Sequence, residues 1–174
     1  MNTNESETML KNIKRFLKTA PIIAKRRKII HEKNNKCPLC SKNQSKFETL
    51  FNGTKLCSEL TIDDYVDRIA MDRNMRGYTL CIAAFLFFKV ITKPHLFSSY
   101  EDYTIKLFST CLYIAHKLYL DRNYSSAFMS KLLGIPKKKL NRRELYLCGE
   151  SVFNFNFGVN EAEINKFILY LKTF

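Results

Sequence analysis

Glycine and proline are scarce in this 174-residue chain, with five and four residues respectively. That shortage argues against a turn-rich β fold and for long regular elements. No apolar run is long enough to span a bilayer. The longest uncharged stretch, GYTLCIAAFLFF from Gly77 to Phe88, falls short of the ~20 residues a transmembrane helix needs. The opening residues, MNTNESETMLKNIKRF, place acids before bases and contain no apolar segment, unlike a secretory signal. An intracellular protein with reduced cysteines is therefore expected. Cys81, Cys111 and Cys148 fall inside apolar helical patterns, where a free thiol behaves as a small hydrophobe. Catalytic motifs are missing as well. There is no GxGxxG and no GK[ST], and only His31, His95 and His116 could act as imidazole bases. His116 lies in an apolar helix and reads as a packed, hydrogen-bonded core residue, while Asp63 and Asp64 suit a helix N-terminus. Nothing calls for a cofactor or for independent enzymatic activity.

Acidic residues are also few, 16 against 29 Lys and Arg, for a net charge of +13. Residues 1–60 hold 13 of the basic and 5 of the acidic residues, and KRRK (Lys25 to Lys28) is the densest run. Such charge attracts polyanions without selecting one. Nucleic-acid binding, or a scaffold role on the same fold, is the competing class, favoured by KRRK and by Lys137 to Lys139 with Arg142 and Arg143. No aromatic interleaving, zinc-finger spacing or RNP motif accompanies these charges, so no specific nucleic acid is implied. KRRK serves equally as a nuclear-import signal or a solvated helix face. The basic amphipathic N-terminal segment also suits docking on a membrane surface. CPLC resembles half a zinc site that His31 and Cys57 could complete with Cys37 and Cys40. There is no second CxxC, and the thiols equally suit a solvated loop.

Two regions follow, a basic extension over residues 1–59 and a helical domain over 60–174. In the first, residues 6–30 form a candidate amphipathic helix with Met9, Ile13, Phe16, Leu17 and Ala20 on one stripe, bent or restarted at Pro21. Residues 34–53 read as a long loop. In the second, TIDD gives Thr61 as N-cap, Asp64 three residues on, and Leu60 with Tyr65 as a hydrophobic staple, opening a helix to about Arg73. Helices over Gly77–Ile91 and Tyr100–Tyr119 are apolar on most faces and belong at the centre. A short helix over Ser125–Leu133 ends at Gly134, a fifth runs from Pro136 to about Asn154, and a last one spans Glu161–Phe174. The fold class is all-α.

Within this pattern, TIDDYVDRI, GYTLCIAAFLFF and LFSTCLYIAHKLYLDRNYSSAFMSKLLGIPKKKLNRRELYLCGESVFNFNF, in that order, resemble the cyclin box, and more narrowly the P/U-type cyclins of phosphate signalling. The resemblance runs from about Thr61 to Phe157. It implies a five-helix cyclin box carrying a basic N-terminal helical extension and a C-terminal helix. The chain would be a non-catalytic activating subunit, a monomer within a heterodimer with a cyclin-dependent protein kinase catalytic subunit. The family's kinase-gripping lysine and glutamate map to Lys117 in AHK and Glu144 in NRRE. Leu118 and Phe153 match positions that present apolar groups to the kinase, and Tyr113 one turn before Lys117 could extend that surface. Core packing is the alternative for each of these three.

The residues themselves point the same way. Glu144 shares a face with Leu140, Leu147, Cys148 and Ser151, and Lys117 sits in an apolar stretch, so two opposite charges on neighbouring apolar helices are expected to meet. The alternative is that Lys117 snorkels and pairs with Asp121 at i+4. One departure stands out. FLFFK places Phe88 and Lys89 where the family carries an Asp-Arg that braces an arginine of the first helix. Arg68 must then find another acid, with Asp64 and Asp72 as candidates.

Overall fold

The computed structural model describes residues 3–34, 38–51, 60–93, 103–121, 123–150 and 152–174, with side chains for 4–26 and 45–51 in the first two segments. Within them lie eight helices: α1 (Thr3–Asn34), α2 (Pro38–Phe51), α3 (Ile62–Ala70), α4 (Tyr78–Ile91), α5 (Thr104–Tyr119), α6 (Ser126–Leu133), α7 (Lys137–Cys148) and α8 (Glu161–Leu171). No strand occurs among the described residues.

The two most apolar segments are the central pair. α4 is buried without interruption from Thr79 to Phe87, α5 from Leu107 to His116, and the two pack along their length. The other helices each bury one stripe against this pair or its neighbours, as an amphipathic pattern requires. Local signals set the ends. Thr61 accepts the Asp64 amide at 3.2 Å to cap α3, Ser125 caps α6 through the Phe128 amide, and Gly134 closes α6 in the left-handed conformation (φ 68°).

α1 runs through Pro21 without the expected break. Its stripe of Ile13, Phe16, Leu17, Ala20 and Ala24 is buried in the same core as α4 and α8, so tertiary packing holds the helix where proline removes one backbone hydrogen bond. Phe16 lies at the centre of an aromatic cluster that joins α1 to Phe87 and Phe88 of α4 and to Phe167 and Tyr170 of α8. The salt bridges Lys14–Asp67 and Lys18–Asp63 tie its other flank to α3.

The expected loop over residues 34–53 contains α2 instead. Phe47 and Phe51 stack at 4.2 Å and are buried against Tyr103 and α7, so a short i, i+3, i+4 stripe (Phe47, Leu50, Phe51) docks what its polar flanks disguised. The fifth helix of the domain, expected to reach Asn154, stops at Cys148, where Gly149 turns extended (ψ 178°). Residues 152–155 then form a turn in which Asn154 and Phe155 adopt left-handed φ values of 48° and 54°. α3 ends at Ala70, three residues before the expected boundary. The expected start of α5 at Tyr100 lies outside the described residues.

Candidate functional site

Lys117 sits in the last turn of α5 and Glu144 midway along α7, two helices that pack side by side. The ammonium donates to both carboxylate oxygens, at 2.7 and 2.8 Å. It does not take Asp121, the other partner within reach of its own helix. Beneath it, the Tyr113 ring lies one turn back with its centroid 4.3 Å from Nζ, a cation–π distance. The Tyr113 hydroxyl donates to Asn141 Oδ1 at 3.3 Å, one turn before Glu144 on α7. Tyr113 therefore supports the lysine and touches the helix that carries its partner. Partial burial alone lowers the Lys117 pKa, but the Glu144 carboxylate and Tyr113 more than offset it, leaving the group above its ordinary value. The pair is an ammonium–carboxylate bond at an open edge: the lysine side chain is 39% exposed and the glutamate 18%.

Around the pair the apolar residues divide. Leu118 is 44% exposed and Leu145, directly after Glu144, is 70% exposed. Tyr113 and Phe153, for which surface contact and core packing were both open, are buried. Phe153 packs on Phe157, ring to ring at 5.2 Å, because the chain has left α7 and turned inward. Its neighbour Phe155, held outward by the left-handed turn, is 71% exposed. Neither Leu145 nor Phe155 was legible as a surface group. Leu145 follows Glu144 at a register that a core-oriented reading of α7 passes over, and Phe155 depends on a turn without a glycine.

A polar network braces the edge from behind. His116 is fully buried, with its ring nearly parallel to those of Tyr113 and Tyr124. Its Nε2 accepts the Tyr124 amide at 2.7 Å, so that nitrogen carries no proton and the imidazole is neutral. Burial, and then the charge of Lys117, lower its pKa below the ordinary value; a Tyr113 backbone hydrogen bond and Asp72 act weakly in the other direction. The Tyr124 hydroxyl donates to Asp72 at 3.0 Å and accepts from Asn74 at 2.7 Å, tying the α5–α6 connection to the α3–α4 connection. The expected packed histidine is thus found, hydrogen-bonded directly behind Lys117.

Arg143, next to Glu144, points inward. It is fully buried, donates from Nε to the Leu50 carbonyl at 2.9 Å and lies over the Phe51 ring at 5.0 Å, and burial pulls its pKa down to about 10. Sequence had placed it among the surface cations. Its position at i+3 from Leu140 and i−4 from Leu147 carried the contrary signal.

Arg68 takes neither Asp64 nor Asp72. It donates to the Leu132 carbonyl at 3.0 Å, in the last turn of α6, and lies over the Tyr65 ring. A helix end offers unpaired carbonyls to a nearby cation. Asp64 instead accepts from the Thr61 hydroxyl, and Asp72 from Tyr124. Lys89, part of the departure from the family pattern, donates to the Phe157 carbonyl at 3.0 Å, while Phe88 joins the Phe16 cluster. Lys89 also lies 3.6 Å from the Glu163 carboxylate of α8.

The zinc set of His31, Cys37, Cys40 and Cys57 lies outside the residues whose side chains are described. Among the described residues no group of three or more His, Cys, Asp or Glu could hold a metal ion, and no helix is long and apolar enough to cross a membrane. Burial pushes the thiols of Cys81 and Cys148 up to about 12 and about 11, and that of Cys111 well up, so all three are protonated at neutral pH. Residues 7–157 match a protein-family model described as Cyclin. The match starts far N-terminal to Thr61 and includes most of α1 and all of α2. No curated protein matches the chain.

Proposed function

The chain belongs to the cyclin family, and from that premise we propose that it is a non-catalytic activating subunit of a cyclin-dependent protein kinase, of the P/U type. The observation that carries this reading is the Lys117–Glu144 pair, bidentate, half-open and flanked by exposed Leu118 and Leu145. A partner helix laid across this edge can receive hydrogen bonds from the lysine and cover the two leucines. Binding in that place holds the kinase's mobile helix inward, so that the kinase's own Lys–Glu ion pair is in position for phosphoryl transfer. ATP and the chemistry belong to the kinase. Tyr113 and His116 keep Lys117 in place from beneath rather than meeting the partner. Phe155, rather than Phe153, is the exposed aromatic of the turn after α7 and the one able to meet a partner. Residues 1–59 contribute through α1, which packs on the bundle and so fixes the outer helices relative to α4 and α5.

The test is recovery of a kinase from lysate of the source cells on tagged full-length chain, followed by a kinase assay of the eluate. Wild type and a Lys172→Ala control, altered at an exposed residue just after α8, are expected to bring down a cyclin-dependent kinase and its activity. Lys117→Ala combined with Glu144→Ala, verified as folded by circular dichroism, is expected to bring down neither. Equal recovery by the double variant would remove the pair from the interface.

A further inference from the structure

The outward face of α7 holds more than Glu144. At about 100° per residue, Arg142, Lys138 and Leu145 fall within about 60° of one another, and Asn141 and then Glu144 follow in the same direction round the helix. Leu140, Arg143 and Leu147 occupy the opposite, buried side. Leu145 therefore lies between the Lys117–Glu144 pair and a row of basic side chains. Lys137 and, on α6, Lys131 are exposed beside that row.

Lys131, Lys137, Lys138 and Arg142 make no salt bridge within the chain among the described residues. Glu144 is the sole acid of α7, and Lys117 takes both of its oxygens. The arrangement works against the helix that bears it. Lys138 and Arg142 repel at i, i+4, and three lysines occupy the first turn, where the helix dipole is already positive and Pro136 supplies no side-chain cap. A 70%-exposed leucine in the middle adds a further unfavourable exposure. The charges of Lys138 and Arg142, in no salt bridge among the described residues and set around an apolar residue, are complementary to a segment carrying carboxylates about an apolar side chain.

We propose that this face continues the kinase-binding edge and receives an acidic segment of the same kinase, with Leu145 covered at the junction and Lys138 and Arg142 facing the partner's carboxylates. The proposal rests on the kinase-binding reading above and names the chemistry of the flank that the kinase must present. A protein segment suits the face better than nucleic acid. An exposed leucine stands where a strand would need a stacking ring, Tyr146 of the same helix is buried, and the row runs without a break into the Lys117–Glu144 pair. The basic row accelerates encounter and sets register, and the leucine contributes to retention.

The test uses the kinase recovered by wild-type chain and purified, with association followed by surface plasmon resonance on immobilised full-length protein. The variants are Lys138→Glu with Arg142→Glu, Leu145→Ser, and a control of equal charge change, Lys166→Glu with Lys172→Glu, on α8 and at the residue that caps its end, a helix that packs on α1 and α4. At 50 mM NaCl the α7 reversal is expected to slow association about tenfold, with the difference shrinking at 500 mM, while the α8 reversal leaves the rate within about twofold. Leu145→Ser is expected to speed dissociation at both salt concentrations. Poly-L-glutamate added as competitor should slow wild type and leave the α7 reversal unaffected. Equal rates for the two reversals, or no effect of either, would overturn the acidic-flank proposal and leave the Lys117–Glu144 reading standing. Failure of wild type to recover any kinase defeats both. RNA retained by wild type and lost with the α7 reversal would assign the face to nucleic acid and overturn the proposal.

Discussion

Replacing Phe16 by alanine tests whether α1 is part of the folding unit. Phe16 is fully buried, and its ring centroid lies between 5.6 and 6.4 Å from those of Phe87, Phe88, Phe167, Tyr170 and Phe174. Removing a buried phenylalanine generally costs about 3–5 kcal/mol, from lost transfer energy plus the cavity left behind. Five ring contacts, four of them edge-on (to Phe87, Phe167, Tyr170 and Phe174), place this site toward the upper part of that range. For a chain of this length each kcal/mol corresponds to about 2–4 °C in Tm, so a fall of roughly 6–20 °C is expected. The assay is thermal and urea unfolding by circular dichroism at 222 nm. Ile22→Ala, on the exposed side of the same helix, serves as control and should stay within about 0.5 kcal/mol. A Phe16→Ala loss below about 1 kcal/mol, or a separate early transition for α1 with the remainder unchanged, would refute the packing argument and restore α1 as an appendage.

Three further outcomes follow from the structure. His116 has a lowered folded pKa, so the unfolded chain binds its proton first as pH falls; stability is complete above the ordinary histidine value of 6.5 and is lost progressively as pH drops through the lower folded value. Urea unfolding from pH 7 to 5 should show a slope of at most about 1.4 kcal/mol per pH unit that disappears in His116→Gln, and an identical slope in both proteins would contradict the neutral-imidazole assignment. Arg143→Met keeps much of the volume but loses the bond to the Leu50 carbonyl; a loss of about 1.5–3 kcal/mol is expected, with faster amide exchange confined to α2, and unchanged α2 exchange would count against the anchor. In the free chain, Lys117→Ala should cost about 1 kcal/mol or less because the pair is partly open to solvent, whereas binding to a kinase should weaken by about 2–5 kcal/mol; a double-mutant cycle with Glu144→Ala measures the coupling, and equal losses in both states would contradict an interfacial role.

The helices most legible in sequence were those whose apolar periodicity was long and whose ends were marked. α4 and α5 declared themselves by being apolar on most faces, α3 by its Thr61 cap, and α6 by Ser125 and Gly134. The meeting of Lys117 and Glu144 was one of two pairings that the residues allowed, because each charge sits among apolar residues while Asp121 lies at i+4 from Lys117, and the structure takes the first. α2 was not legible: Phe47, Leu50 and Phe51 make one short stripe between Pro38 and Asn52-Gly53, and only docking on Tyr103 and α7 makes it a stable helix. α1 could be read as amphipathic, but a stripe such as Ile13, Phe16, Leu17 looks the same whether it faces its own bundle, a membrane or a partner. Burial of Arg143 depends on Leu50, distant in sequence, and the inward turn at Phe153 depends on an unmarked left-handed turn that brings Phe157 onto its ring. Arg68 was assigned to an acid because charge pairing is the default expectation, and a carbonyl at the end of α6 took it instead.

The central claim is that the Lys117–Glu144 edge holds a kinase in its active arrangement. The most direct measurement is the kcat/KM of the recovered, purified kinase toward a protein substrate as this chain is titrated in. Wild type should raise it with saturation. Lys117→Ala with Glu144→Ala should require at least tenfold more protein for the same effect, with its thermal unfolding curve close to that of wild type. Activation by the double variant at wild-type concentrations would contradict the account.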